Sequence, residues 1–531
     1  MRILIFHGYL LGGTGSNVYN AKLAEALVGL GHEVHVVSQD RHMERFEFVD
    51  AIGTWEDGEL RLQERRSPAR CVAYRPDIGT LLPTYVADRY EGFEAKPFGE
   101  CTDEEVDHYV ARNVTAVAAV AAGAHPDVAL ANHLVMGPVI LARGLADTGV
   151  PYAVKVHGSA LEYTVKPHRE RFMPAAREGL AGASAILVGS RHTAESLWEA
   201  MEDPDLPART RLGPPGVDVN QFVPREPAAA AAGLGQLTER LLAGTVAPVG
   251  GPADAFARDK IAAGMALSRL DPEDDVLVSF VGKLIVSKGV DVLLMAWPLV
   301  LDRVPRARLV VVGFGAYREG FERLLAALIA GDLDQVAEIA QQGRALEGGP
   351  AAPLHMVLDF LEGLQGEERE RYLAAAARLG EQVVLTGRLE HAELADLLPA
   401  CEAQVVPSTF PEAFGMVTVE GAACAAFPIS ADHSGLAEVT RALAEAVPPE
   451  VAGWLSFGLQ GEVVRALAER LVAWLTAPEE LRARTREALV EVCRARYSWE
   501  GVAGSVIAAA QGRLDELAPP PEHELAPGAG G

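Results

Sequence analysis

"VLVSFVGKLIVSKGVDVLLMAWPLVL", residues 276–301, is the stretch from which the architecture can be read. Its first six residues are almost unbroken apolar and β-branched, the pattern of a strand covered on both faces. From Val290 onward the apolar residues recur at i, i+3, i+4 and i+7, the period of a helix. A strand of that kind running into a helix is half of a βαβ unit, and so predicts a parallel sheet. Lys283 then stands at the carboxyl end of the strand and Lys288 in the turn before the helix, with Gly289 allowing the backbone to bend. Ligands bind at that end of open parallel sheets.

The same alternation runs twice along the chain. "RILIF", "EVHVVS", "DVALAN", "YAVKVHG" and "AILVGS" read as strands before residue 213, and "RLVVVGFG", "QVVLTG", "AQVVPS" and "FPISAD" continue the series after residue 276. The expectation is an α/β chain of two doubly wound, Rossmann-like domains. "GPPGVDVNQFVPREP", residues 213–227, closes the first series, giving domains of 1–223 and 224–498, with a helix at 499–516 completing the first. Residues 317–380 are far longer than a normal strand-to-strand connection and carry amphipathic patterns, which predicts a helical insertion. Residues 41–97 read as long loops, "TDEE" at 102–105 as a capping box, and 517–531 as a disordered tail.

Composition narrows the functional classes. At 531 residues, 49% apolar and 6% aromatic, the chain suits a globular α/β protein of more than one core. A formal charge of −26 disfavours nucleic acid as a partner and gives no long-range attraction to an anionic bilayer. The five cysteines have neither metal-site nor C-x-x-C spacing, and an odd count makes a poor disulfide framework, so a reducing, cytoplasmic setting is expected. "MRILIFHGYLLGGTG" reads as a first strand entering a glycine loop rather than as a signal peptide. No run of about eighteen apolar residues occurs, which excludes a transmembrane segment and leaves peripheral membrane contact open.

Three stretches could carry chemistry. "GGTGSN", residues 12–17, follows strand one and opens a helix, where glycines allow close backbone approach and the helix amides face an anion. A glycine turn there also packs helix on strand with no ligand. The spacing of Gly12, Gly13 and Gly15 misses the dinucleotide fingerprint, and "VVSQDR" puts Asp40 past the tip of strand two, so hydride chemistry loses ground. Lys283 and Lys288 are placed to neutralise a diphosphate, though solvated surface lysines would look the same. "PEAFGMVTVEG", residues 411–421, holds Glu412 in a loop and Glu420 in a following helix, with Gly415 and Met416 near the helix start. An ionised carboxylate only accepts hydrogen bonds, so sugar hydroxyls are natural partners for the two acids. The alternative for each is a loop residue and a helix-start glutamate favoured by the macrodipole.

Taken together, and in chain order, these motifs with "HG" at His157 and Gly158 and "PPGVD…F" up to Phe222 resemble the retaining glycosyltransferases of family four (glycosyl transferases group 1). The resemblance covers nearly the whole chain and implies a GT-B fold, two facing Rossmann-like domains. It implies that Glu412 contacts donor-sugar hydroxyls, Glu420 the ribose, and Lys283 and Lys288 the diphosphate. Amides around Gly415 and Met416 would assist, with Phe414 and Val417 in the same donor-binding stretch and Gly12 and Gly13 in the loop opposite. His157 would approach the donor sugar, and Arg388 and Leu389, in "LTGRLEH", would present main chain to the base. Lysine at 283 departs from the arginine usual in that family, and keeps the charge without the bidentate fork.

The reaction so implied is transfer of a sugar from a UDP-, GDP- or ADP-linked donor to an acceptor hydroxyl by front-face displacement, with no metal and no cofactor beyond the donor. The alternatives keep the fold and change the chemistry: a sugar-nucleotide epimerase, a sugar phosphorylase, or a non-catalytic nucleotide-sugar-binding protein.

Overall fold

The computed structural model describes residues 1–12, 15–56, 58–85, 92–244 and 258–520. They form two compact units: Met1–Gly216 together with the chain from Trp499, and Val217–Ser498.

The first unit is built on a nine-stranded sheet. In chain order its strands are β1 (Arg2–Phe6), β2 (Glu33–Val37), β3 (Ala51–Glu56), β4 (Glu59–Glu64), β5 (Cys71–Arg75), β6 (Val128–Asn132), β7 (Tyr152–Val156), β8 (Ala185–Val188) and β9 (Thr210–Leu212). They lie in the order β9-β8-β7-β6-β1-β2-β5-β3-β4, parallel except for the β3–β4 hairpin. The central strands are the apolar runs, and all five residues of β6 and of β7 are buried. The helix Asp103–Ala124 starts at a closed capping box: Glu105 N–H donates to Thr102 Oγ1 at 3.2 Å and Thr102 N–H to Glu105 Oε2 at 2.7 Å.

Three expectations need correction here. The stretch 41–97 is not simply loop, because it contributes β3, β4, β5 and a short parallel pair, Leu81–Thr84 with Glu94–Pro97. β4 sits at the sheet edge with five of its six residues exposed, so it carries no apolar alternation to betray it. The closing helix Trp499–Ala510 packs its Trp499, Val502 and Val506 with Ile3, Ile5 and Leu27, and the chain stays anchored beyond it. Leu517 is buried and Ala518 O accepts Leu212 N–H at 2.8 Å, so order extends past 516; residues 521–531 lie outside the described residues. Finally, the division falls at Gly216 and not at 223, since Phe222 is 2% exposed within the core of the second unit. Burying a ring of that size contributes about 1.5–3 kcal/mol, enough to tie the segment to that core.

The second unit has six parallel strands: β10 (Val276–Val281), β11 (Ala307–Val312), β12 (Val383–Gly387), β13 (Ala403–Val406), β14 (Phe427–Ala431) and β15 (Ser456–Phe457). Their order is β12-β11-β10-β13-β14-β15. This is the doubly wound order in which the chain works outward from β10 on one side, then returns to lay β13 on the other. The insertion between β11 and β12 is helical: Arg318–Ala330, Leu333–Gln342, His355–Gly363, Gly366–Ala376 and Leu379–Gln382. It shares the unit's core through side chains such as Phe321, Val357 and Tyr372, the last donating to Met295 O at 3.0 Å. Among the described residues no helix is long and apolar enough to cross a membrane.

Candidate active site

In the second unit the switch of direction falls between β10 and β13, and the loops leaving those two strands carry the charged residues. Backbone locks them together. Gly289 has φ +66°, and a Cβ there would lie 1.9 Å from Pro407 O, so only glycine permits the approach. Thr409 N–H donates to Ser287 O at 2.9 Å across the same seam. The contact brings Lys288 Nζ into an ion pair with Glu412 Oε1, which also accepts Ser408 Oγ–H at 2.5 Å.

Glu412 is held from behind as well. Its N–H donates to Ser434 Oγ at 2.8 Å, Ser434 Oγ lies 3.0 Å from His433 Nδ1, and His433 Nε2 lies 2.6 Å from Ser408 O. A carbonyl only accepts, so Nε2 carries the proton, Nδ1 accepts from Ser434, and the serine oxygen is left to receive the Glu412 amide. Gly435 N–H closes the loop on Glu412 O at 2.9 Å. Gly415, at φ +107°, starts the helix Met416–Ala423, and a Cβ there would meet Leu436 at 2.4 Å. Gly415, Met416 and Val417 are partly exposed at that helix start, whereas Phe414 is buried.

Glu420 is 2% exposed one turn into that helix. Burial raises its carboxyl above the usual range, opposed by His391, whose Nε2 is 3.6 Å from Oε1. Lys283 is exposed just past β10. Arg388 follows β12, paired with Glu390 at 3.1 Å and set 6.0 Å from the Phe314 ring, while the Leu389 side chain is buried. A separate cavity of about 360 Å³ lies between the helices Val290–Arg303, Gly366–Ala376 and Val463–Leu475. Its charges are largely spent on each other, Arg465 on Glu368 at 2.8 Å and Arg371 on Asp302 at 3.5 Å, so the site is not placed there.

In the first unit the carboxyl ends of β1, β6 and β7 meet in a buried polar chain. His157 Nε2 lies 2.8 Å from Asn132 Oδ1, and Asn132 Nδ2 lies 2.7 Å from Asn20 Oδ1. Asn20 Nδ2 reaches His7 Nδ1 at 3.0 Å, His7 Nε2 reaches Asn17 Oδ1 at 2.9 Å, and Asn17 Nδ2 reaches Gly12 O at 2.9 Å. Every link is satisfied by one polarity, each group donating toward Gly12, which puts both histidines in the neutral Nε2–H form. Burial agrees: it pushes His7 down to about 4, and burial with the nearby His133 and Lys155 lowers His157 well below the usual range. His157 Nδ1 is thereby an acceptor. The Gly12 loop is fixed from its other side by Asp40 Oδ2, which takes the amides of Leu11 at 2.9 Å and Gly12 at 3.3 Å. Gly13 lies outside the described residues.

Two family models match in chain order: "Glycosyl transferase 4-like domain" over residues 14–216 and "Glycosyl transferases group 1" over residues 357–489. The chain carries, in order, the two domains of the group 1 glycosyltransferase family. A D-inositol 3-phosphate glycosyltransferase from Segniliparus rotundus is 27% identical over 315 residues, covering 58% of this chain and 48% of that protein. The chain spans about half the length of the curated relatives it matches. Among solved structures, sucrose-phosphate synthase from Thermosynechococcus elongatus is 19% identical with a TM-score of 0.56, covering 97% of this chain and 99% of that one. HepE from Anabaena, in complex with UDP and glucose, is 14% identical with a TM-score of 0.52, covering 97% and 100%. At those identities the likeness is one of fold, and that fold is GT-B.

In this chain, then, motif residues gather in two places. Lys288, Glu412 and the Gly415–Val417 helix start stand together at one switch point, and His157 and Gly12 are joined by hydrogen bonds in the other unit. Ser408, His433 and Ser434, which set Glu412, and His7, Asn20 and Asn132, which set His157, escape a motif reading. Apart from Asn20, which lies within the helix Ser16–Gly29, their one signal is a polar side chain at or just past the end of an apolar strand, as in "VALANH" and "VVPS". His133, at φ +69°, escapes it too; both its ring nitrogens are buried without a hydrogen bond among the described residues.

Proposed function

We propose that this glycosyltransferase moves a sugar from a nucleotide-diphosphate donor to an acceptor hydroxyl with retention of anomeric configuration, without a metal ion. The observation that carries this reading is the Lys288–Glu412 pair at the switch point of a doubly wound sheet, beside the first amides of a glycine-started helix that has no side-chain cap among the described residues. Front-face displacement asks the protein to stabilise charge growing on the departing diphosphate and to hold two reactants in place. Lys283, Lys288 and the amides of Met416 and Val417 supply the first. Glu412 supplies an acceptor for donor hydroxyls and Glu420 one for the ribose; His157, in the first unit, presents a neutral Nδ1 acceptor of its own. In this account the departing phosphate oxygen takes the acceptor's proton, so no side chain need act as nucleophile.

The HepE complex with UDP and glucose makes UDP the first donor base to try, and the inositol phosphate relative makes a phosphorylated polyol the first acceptor. A cytoplasmic setting, where such donors are made, is in keeping with five buried, unpaired cysteines. The test is a thermal-shift panel of UDP, GDP and ADP with their sugars, followed by transfer to inositol 3-phosphate and other polyols with and without chelator. One nucleotide should stabilise the protein above the rest, free nucleoside diphosphate should accumulate under chelation, and the product should keep the donor's anomeric configuration by NMR coupling constants. Nucleotide binding without release of diphosphate, or an inverted product, would overturn the reading.

A further inference from the structure

The turn that bears Lys288 does not set its own shape. The 3-10 turn Val286–Lys288 begins after Ile285, which offers no side-chain acceptor, so the Val286 amide has no local partner. Its partner comes from 61 residues further along: Glu347 Oε2 accepts Val286 N–H at 2.8 Å. Glu347 ends the short turn Arg344–Glu347 in the middle of the helical insertion, between Leu333–Gln342 and His355–Gly363.

Both carboxylate oxygens are committed. Oε1 accepts Arg344 Nε at 3.0 Å, and the side chain is 9% exposed. Arg344 is itself fixed, its N–H donating to Ala352 O at 3.1 Å beside Gly343, where a Cβ would lie 1.8 Å from that same oxygen. Withdrawing a carboxylate from water to that degree is costly unless its oxygens are bonded. An insertion that only decorated the surface would have no reason to send a charged side chain inward to a backbone amide.

We propose that the insertion braces the Lys288 turn, with Glu347 as the positioning residue that sets the place of Lys288 for the donor diphosphate. The proposal rests on the reading of Lys288 given above. Glu347 works by geometry, since its own charge opposes an anionic ligand nearby. The two effects separate in the variants: glutamine keeps an acceptor oxygen and loses the charge, and alanine loses both.

The experiment compares full-length Glu347→Ala and Glu347→Gln with wild type in two readouts. Hydrogen exchange of a peptide covering residues 283–289 is followed in the ligand-free protein, and UDP, GDP and ADP affinities are measured by calorimetry. In Glu347→Ala the turn amides should exchange about tenfold faster or more, as expected for loss of a hydrogen bond to a charged acceptor. The preferred nucleoside diphosphate should bind about tenfold more weakly, and exchange in β10 and β13 should be unchanged. Glu347→Gln should restore most of both. Unchanged exchange in the turn of Glu347→Ala would overturn the proposal, as would faster exchange spread evenly over the unit, or tighter diphosphate binding in Glu347→Gln. Faster exchange confined to the turn, in a protein whose wild type binds none of the three nucleotides, would support the brace and sink the proposed function instead.

Discussion

Glu412 and Lys288 form an ion pair, with Ser408 donating to the same carboxylate oxygen. A diphosphate that recruits Lys288 must therefore draw it away from Glu412, which frees the carboxylate for donor hydroxyls. The two residues should respond oppositely to substitution. Lys288→Ala is expected to weaken nucleoside diphosphate binding by about tenfold or more, the scale of a lost hydrogen bond to a charged group. Glu412→Gln should bind the nucleotide at least as tightly as wild type, because the competitor for the lysine is gone, while transfer falls by at least about a hundredfold. Calorimetry and a diphosphate-release assay on both variants check the pair. Weaker nucleotide binding in Glu412→Gln would contradict this division of roles. Glu412 and Lys288 are legible as candidates from the residues around them. Their pairing is not, because 124 positions separate them and nothing local specifies the contact.

The loops after β10 and β13 act as one piece because glycine lets their backbones touch. At Gly289 an alanine would meet two penalties, a left-handed φ and a Cβ 1.9 Å from Pro407 O. The first alone costs about 1 kcal/mol, and the second cannot be relieved by a side-chain rotation, since the obstacle is backbone. Gly289→Ala is expected to lower stability by at least about 2 kcal/mol and to raise the donor KM by displacing the Lys288 turn from the switch point. Urea unfolding and initial-rate kinetics test this, and a variant with unchanged stability and KM would show that the seam is not needed. "SKG" signals a turn before the helix; that this turn must fit against residue 407 is visible only once β10 and β13 lie side by side.

Over the molecule as a whole, buried titratable groups push stability in opposite directions as pH changes. His7, depressed from 6.5 to about 4, stays neutral in the folded chain while the unfolded chain takes up a proton. Its contribution is complete above about pH 6.5 and declines toward pH 4, by about 3 kcal/mol in all. Asp291, raised from 3.8 to about 7 by burial, does the reverse: the folded chain holds a proton that the unfolded chain releases, so its effect favours folding as pH falls. The net slope is a partial cancellation, and variants separate the parts. The stability advantage of wild type over His7→Gln should shrink by about 2 kcal/mol between pH 6.5 and 5, measured by urea unfolding, and a constant gap would mean that His7 is not held neutral. The local chain, then, was sufficient for the strand and helix alternation, the doubly wound class, the insertion and the lysine and glutamate motifs, since each rests on periodicity or on neighbours a few positions away. It missed the strands within 41–97, the anchored chain beyond 516, the polar chain from His157 to Gly12 and the reach of Glu347 to Val286. Those depend on which surfaces packing brings within about 3 Å of each other, and hydrogen bonds that short-ranged leave no periodic trace along the chain.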